Sequence, residues 1–276
     1  MPPAEEHLNV EAKDMSLKEK VMSDRMTRDV HLSGKDLMAM VQLRPKDIGS
    51  YAIVPGPKER LDSLVKKMAD PVKNFSFMEY NMFTGNINGV RVTAINGGRF
   101  AADTGITTEI LCNAEAKVLI RIGSCGAIRK DIKIGDFIVT TGCVRGDGVS
   151  PYYVDDKFVT LPDAALTQKL TAIAKNIAPT GGFSVHEGKV WSTDAILRET
   201  KEEVNKVIDQ GAIAVDMVSA PFLTISQVYK IPAVSILAVS DNLITGQMGF
   251  INPDYYMAEG MLIQMAMELV KQLEAK

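Results

Sequence analysis

The sequence predicts an α/β fold: one domain, with a mixed central β-sheet flanked by helices. Three features carry this expectation. Short apolar runs of strand length alternate with longer segments whose apolar residues recur at helical spacing. No internal repeat, low-complexity tract or linker divides the chain. A length of 276 residues with 46% hydrophobic and 24% charged content is enough to bury one large core.

In order, residues 1–30 read as a polar N-terminal extension ahead of a folded domain spanning 31–276. The run YAIVP at 51–55 is a strand stopped by Gly56-Pro57, and KERLDSLVKKM follows at helical spacing, with Arg60 in its first turn. Residues 83–87 and 90–96 form a hairpin around Asn88-Gly89, a pair suited to a two-residue turn, and Gly97-Gly98 ends its second strand. A helix is expected over 104–116, strands over 118–122 and 137–141, and a helix over 164–177. The second half gives a strand over 189–192, a polar helix over 199–210, an apolar strand over 212–218, a helix over 220–229 and a strand from 233. An amphipathic helix over 256–274 closes the chain. Strands interleaved with helices imply a sheet covered on both faces, and ligands bind such sheets beyond the carboxyl ends of the strands. The Gly56, Arg121, Met217 and Ser240 segments all lie at such ends and are expected to meet in one cleft.

A formal net charge of −3 gives no basic field for nucleic acid, and no window reaches 18 continuous apolar residues, so neither nucleic acid nor a membrane is an expected partner. Cys112, Cys125 and Cys143 are odd in number and lack CxxC spacing, which predicts reduced thiols and no metal site. The first thirty residues lack the apolar core of a signal peptide, so a cytoplasmic protein is expected.

The most informative stretch is IRIGSCGAIRKDIKIGDFIVTT at 120–141. Arg121 sits in a buried strand beside an expected Gly-Ser-Cys-Gly turn, so it either pairs with a core carboxylate or faces an anion. Gly123 and Gly126 let backbone N–H groups approach an oxyanion and Ser124 adds a hydroxyl, which makes phosphate the natural guest. The turn at Gly56 opens a helix whose free N–H groups and dipole also favour anions. Other residues carry plainer readings: Met217 as core filler, Asp241 as a turn or cap residue, His7 and His186 as surface residues, and Asp136 as a turn-fixing residue.

With those residues set out, the chain from His31 to Asp241 resembles the nucleoside phosphorylase family that includes hexameric purine nucleoside phosphorylases and uridine phosphorylases. IVPGPKER is similar to that family's phosphate turn, with Pro57 in place of the usual aspartate. RIGSCGAI with IKIGDFIVTTGCVRGDG is close to the uridine phosphorylase version. VDMVS resembles the ribose motif, and AVSDN the Ser-Asp pair placed near purine N7. The resemblance implies that Gly56, Arg60, Arg121 and Ser124 hold inorganic phosphate as co-substrate. It further implies that His31, Cys125, Gly126, Asp216, Met217, Ile196 and Ser240 contact the nucleoside, with His31 donated by a neighbouring subunit. Asp241 and Arg121 are the implied catalytic residues. It also implies a homo-oligomer, a dimer or a hexamer built from dimers, and no cofactor or metal.

The chain departs from the pattern in ways that bear on activity. Met78 stands where many members carry a third phosphate-binding arginine, and Val218 replaces the glutamate that accepts from the sugar hydroxyls. Asp216 is the expected substitute for Val218, and Arg99 for the charge missing at Met78. The run GGRFAADTG is expected to bring Arg99, Phe100 and Asp103 to the sugar and phosphate region. Thr200 and Glu202 occupy the positions where uridine phosphorylases use glutamine and arginine for uracil. Phosphorolysis of a nucleoside, slightly favouring purines, is the leading expectation; a uridine phosphorylase with altered base contacts and a catalytically weak nucleoside- or phosphate-binding homologue are the alternatives.

Overall fold

The computed structural model describes residues 31–275; the 1–30 extension, with His7, lies outside the described residues. The elements are α1 (Gly34–Met40), β1 (Tyr51–Pro55), α2 (Lys58–Val65), β2 (Ala69–Phe77), β3 (Tyr80–Ile87), β4 (Val90–Ile95), α3 (Ala101–Asn113), β5 (Val118–Ala127), β6 (Phe137–Gly146) and α4 (Ala164–Ile177). They continue with β7 (Val185–Thr193), α5 (Lys201–Asp209), β8 (Ala212–Asp216), α6 (Ser219–Val228), β9 (Ala233–Asn242), β10 (Gln247–Met248) and α7 (Pro253–Glu274).

All the strands form one mixed sheet, in the order β10-β9-β6-β7-β8-β5-β1-β4-β3-β2. Strand β5 also pairs with β9, so β5, β9, β6, β7 and β8 close on themselves while β1, β4, β3 and β2 fan outward. Side-chain alternation sends Ile53, Ile120 and Ile122 to one face, against α2, α4 and α7, and Ala52, Val54 and Leu119 to the other, against α1, α3 and α6.

The branching of the sheet positions the site. On one edge β5 pairs with β9 along nearly its full length, from Leu119 to Ala127. On the other edge it pairs with β1 only as far as Ile122, and then with β8 at Gly126 and Ala127. Residues Gly123 to Cys125 therefore lie where β1 has ended and β8 has not yet joined, which is a topological switch point.

Two sequence expectations change here. The Gly-Ser-Cys-Gly segment is not a turn: β5 runs straight through it, with a register shift at Cys125/Gly126. Its glycines answer to close packing, since a Cβ on Gly123 would meet Leu237 Cδ2 at 2.5 Å and one on Gly126 would meet Leu243 Cδ1 at 2.5 Å. Strand β2 was not anticipated, because ADPVKNFSF is polar, contains Pro71 and lies mostly exposed at the sheet edge. The hairpin expected at Asn88-Gly89 is present, with positive φ at both residues.

Candidate functional site

The ends of β1, β5, β8 and β9 surround a cavity of about 350 Å³. Gly56, Arg60, Arg121 and Ser124 form one part of its wall; Cys125, Gly126, Asp216, Met217, Val218, Ser240, Asp241 and Ile196 also line it. The Gly56, Arg121, Met217 and Ser240 segments meet in it as expected, but His31 does not join them. That residue is exposed and is not part of this cavity's wall.

Arg60 and Arg121 are both buried, and each has a carboxylate partner. Arg121 Nη2 lies 3.4 Å from Asp216 Oδ2, and Arg60 pairs with Glu259 of α7. Arg60 Nη1 also donates to the Ile122 carbonyl oxygen at 3.2 Å. Arg121 therefore pairs with a core carboxylate, and the pairing leaves donors over. Arg60 Nε and Arg121 Nε and Nη1 are buried without a hydrogen-bond partner among the described residues. Burial pulls Arg121 below the ordinary arginine range, Asp216 opposes this, and the like charge of Arg60 adds to it. A site that holds two desolvated cations in each other's field, with donors unused, favours an anion with several acceptor oxygens.

Asp216 serves more structural roles than expected. Its oxygens accept from the hydroxyls of Ser192 and Ser219 at 2.6 Å each and from the backbone N–H groups of Val218 and Ser219, so it fixes the start of α6. With those partners and Arg121, its remaining capacity toward a sugar is small. Val218 is buried and apolar and supplies no acceptor in its place.

Toward the other end of the cavity, the Ser240 hydroxyl lies 2.7 Å from Asp241 Oδ1 and 3.1 Å from the Cys125 carbonyl oxygen. Cys125 is not a nucleophile: burial first, then Asp216 and Asp241, hold its thiol well above the ordinary range. Two wall residues escaped the sequence reading. Glu199 is half-buried beyond Ile196 and has no hydrogen-bond partner among the described residues; burial, with the charge of Asp241, pushes its carboxyl up to about 7. Tyr255 of α7 stands beside Arg60, and burial pushes its phenol up to about 12, so it remains a donor. Glu199 lies in a polar stretch and Tyr255 near a helix start, and neither carries a local pattern that marks a site.

Of the departures, Arg99 does reach the wall, with its guanidinium 6.0 Å from the ring centroid of Phe100. Phe100 and Asp103 do not reach it, contrary to expectation: Phe100 is half-exposed and Asp103 accepts from the Tyr80 hydroxyl at 2.7 Å. Gly98, at φ +80, turns the loop away before α3 begins, and a Cβ there would strike Asp103. Met78 is 75% exposed in the β2–β3 turn and is not part of the wall. His186, expected at the surface, is mostly buried and pairs with Asp136 at 2.9 Å. Asp136 does fix a turn, accepting from the Lys133 and Ser184 N–H groups.

Residues 50–254, which include every residue of this cavity's wall except Tyr255, match the family model described as the phosphorylase superfamily. The chain belongs to the phosphorylase superfamily. Within it, a guanosine phosphorylase of Halorubrum lacusprofundi is 27% identical over 201 residues, covering 72% of this chain and 81% of that protein. A DeoD-type purine nucleoside phosphorylase of Bacillus cereus is 28% identical over 210 residues, 75% of this chain and 88% of that protein. A uridine phosphorylase of Klebsiella aerogenes is 36% identical over a shorter stretch of 145 residues, 52% of this chain and 56% of that protein. In shape the superfamily fold is matched by the crystal structure of a uridine phosphorylase from Vibrio fischeri, with TM-score 0.77 and 23% identity, over 86% of this chain and 99% of that one. No helix among the described residues is long and apolar enough to cross a membrane.

Proposed function

We propose that this protein cleaves a nucleoside with inorganic phosphate, releasing the free base and a pentose 1-phosphate. The observation that carries this reading is the meeting, in one cavity, of two buried arginines with unused donors and a separate Ser240-Asp241 pair. In the proposed reaction Gly56, Arg60, Arg121 and Ser124 hold phosphate, and one of its oxygens bonds to C1′ as the bond from C1′ to the base nitrogen breaks. The electron pair leaves with the base, and a proton reaches the base from Asp241 or through it. The phosphate dianion stabilises the positive charge that develops on the sugar. Met217 packs against the ribose, Ile196 lies toward the base, and the reaction draws on no cofactor.

A purine is the favoured base. Asp241, with Ser240 beside it, suits a purine N7, and a free carboxylate at Glu199 suits a base edge that presents an N–H donor, as 6-oxopurines do. The superfamily relative named a guanosine phosphorylase supports this direction. A homo-oligomer, as a dimer or a hexamer of dimers, belongs to the same reading, because an exposed His31 serves a nucleoside only in a second copy's cavity. Action in the cytoplasm fits the free thiols Cys112, Cys125 and Cys143.

Val218 favours a second reading, a homologue that binds phosphate without efficient turnover, since it leaves the sugar hydroxyls short of an acceptor. Release of base from inosine, guanosine, adenosine, uridine and their 2′-deoxy forms, with and without phosphate, separates the two. Phosphate-dependent release establishes the phosphorylase; bound phosphate with no release from any nucleoside establishes the binding protein.

A further inference from the structure

The Arg60 guanidinium is oriented by the final helix. Glu259 lies one turn beyond Tyr255 in α7, so both side chains leave the helix on one face. The Tyr255 hydroxyl donates to Glu259 Oε1 at 2.9 Å, and Arg60 Nη2 pairs with the same carboxylate and lies 3.4 Å from the phenol oxygen. Nη1 is held by the Ile122 carbonyl, so the plane of the guanidinium is set from both ends while Nε remains unpartnered. Glu259 is not part of the cavity wall and does not meet a ligand there. Arg121 carries its own carboxylate, Asp216, and each arginine feels the other's charge.

We propose that Glu259 is a positioning residue for phosphate: from behind the cavity, with Tyr255, it holds Arg60 in the orientation that an incoming phosphate meets. Without it, a buried guanidinium beside Arg121 turns away from its like-charged neighbour and toward solvent, and phosphate binding must first restore it. This rests on the phosphorolytic reading only in naming phosphate as the anion.

The test compares Glu259→Gln, Glu259→Asp, Glu259→Ala and Tyr255→Phe with wild type in the full chain, and uses Lys271→Ala on the exposed side of α7 as control. Binding of inorganic phosphate is measured by calorimetry, and KM for phosphate, KM for nucleoside and kcat by base release. Loss of the charge in Glu259→Gln is expected to weaken phosphate binding and raise its KM about tenfold, with kcat at saturating phosphate and KM for nucleoside within about twofold of wild type. Glu259→Ala falls further, Glu259→Asp recovers part of the loss, and Tyr255→Phe, which keeps both charges, weakens phosphate about threefold. Unchanged or tighter phosphate binding in the Gln and Tyr255→Phe variants overturns the proposal. Calorimetry reads it even if wild type turns over no nucleoside, so failure of the phosphorolytic reading is seen separately. If the Ala variant does not fold, the near-isosteric Gln and Phe variants decide.

Discussion

Arg121 and Asp216, from strands β5 and β8, meet 3.4 Å apart with both side chains buried, where the sheet exchanges one neighbouring strand for another. The pair ties the cavity-lining arginine to the first turn of α6, because Asp216 also accepts from Ser219 N and Oγ. Replacing Asp216 with Ala therefore removes a counter-ion and a helix cap together. The expected loss is about 3 to 5 kcal/mol of folding stability, since an uncompensated buried charge remains. Urea unfolding reads this, and a loss below about 1 kcal/mol would mean that Arg121 finds another partner.

Arg121→Lys tests geometry apart from charge. A lysine ammonium is a point charge and cannot present the two unpartnered guanidinium donors that Arg121 keeps free. The fall in kcat/KM for phosphate is expected to be about 100-fold, with smaller changes in nucleoside binding. Equal activity in the lysine variant would show that only net charge matters at this position.

Much of this site was legible in the chain, and the limits have physical reasons. Arg121 stood out because a guanidinium inside an apolar run must find a partner or a ligand, whereas Ser240-Asp241, which read locally as a turn or cap, stood out through the resemblance of AVSDN to a family motif. The glycines of 123–126 were read as a turn, although they keep extended backbone and are small because Leu237 and Leu243 press against them. Glu199, Tyr255 and Glu259 had no such signal. Each is an ordinary polar residue locally, and its role depends on which strand ends it faces after folding. Strand β2 was hidden for a related reason: an exposed edge strand has no apolar alternation to show.

Asp136 stabilises the turn before β6 and binds β7 through His186. Burial works to raise its carboxyl, but hydrogen bonds from His186 and from the backbone N–H groups of Lys133 and Ser184 outweigh it and hold the group below 3.8. A depressed carboxylate contributes stability above its unfolded value and loses it as the pH falls through the folded one. Asp136→Asn should thus cost about 1 to 3 kcal/mol at pH 7 and progressively less as the pH falls below 3.8. Thermal melting across that range checks it, and a constant deficit at every pH would assign the loss to packing.

Glu199 gives the opposite sign. Its carboxyl rises from 4.5 to about 7, by burial first and then by the charge of Asp241. The fold thus favours the protonated form, and the stability it gains is complete below 4.5 and lost as the pH rises through 7. Because Glu199 is half-exposed, the effect is on the order of 1 kcal/mol after solvent screening. Glu199→Gln removes this slope and should unfold later than wild type at pH 8, with little difference at pH 4.5. The same titration bears on the base. On the proposed purine reading, an ionised Glu199 above pH 7 would accept from the N1–H of inosine or guanosine and repel the N1 lone pair of adenosine, whereas the protonated form below pH 7 would donate to adenosine. The ratio of guanosine to adenosine turnover should rise severalfold between pH 6 and pH 8, roughly as far as one hydrogen bond to a charged group allows. Taking the ratio cancels the ionisation of phosphate, which both substrates share. In Glu199→Gln the ratio should lie flat; a pH-dependent ratio surviving there would move base selection from Glu199 to Asp241.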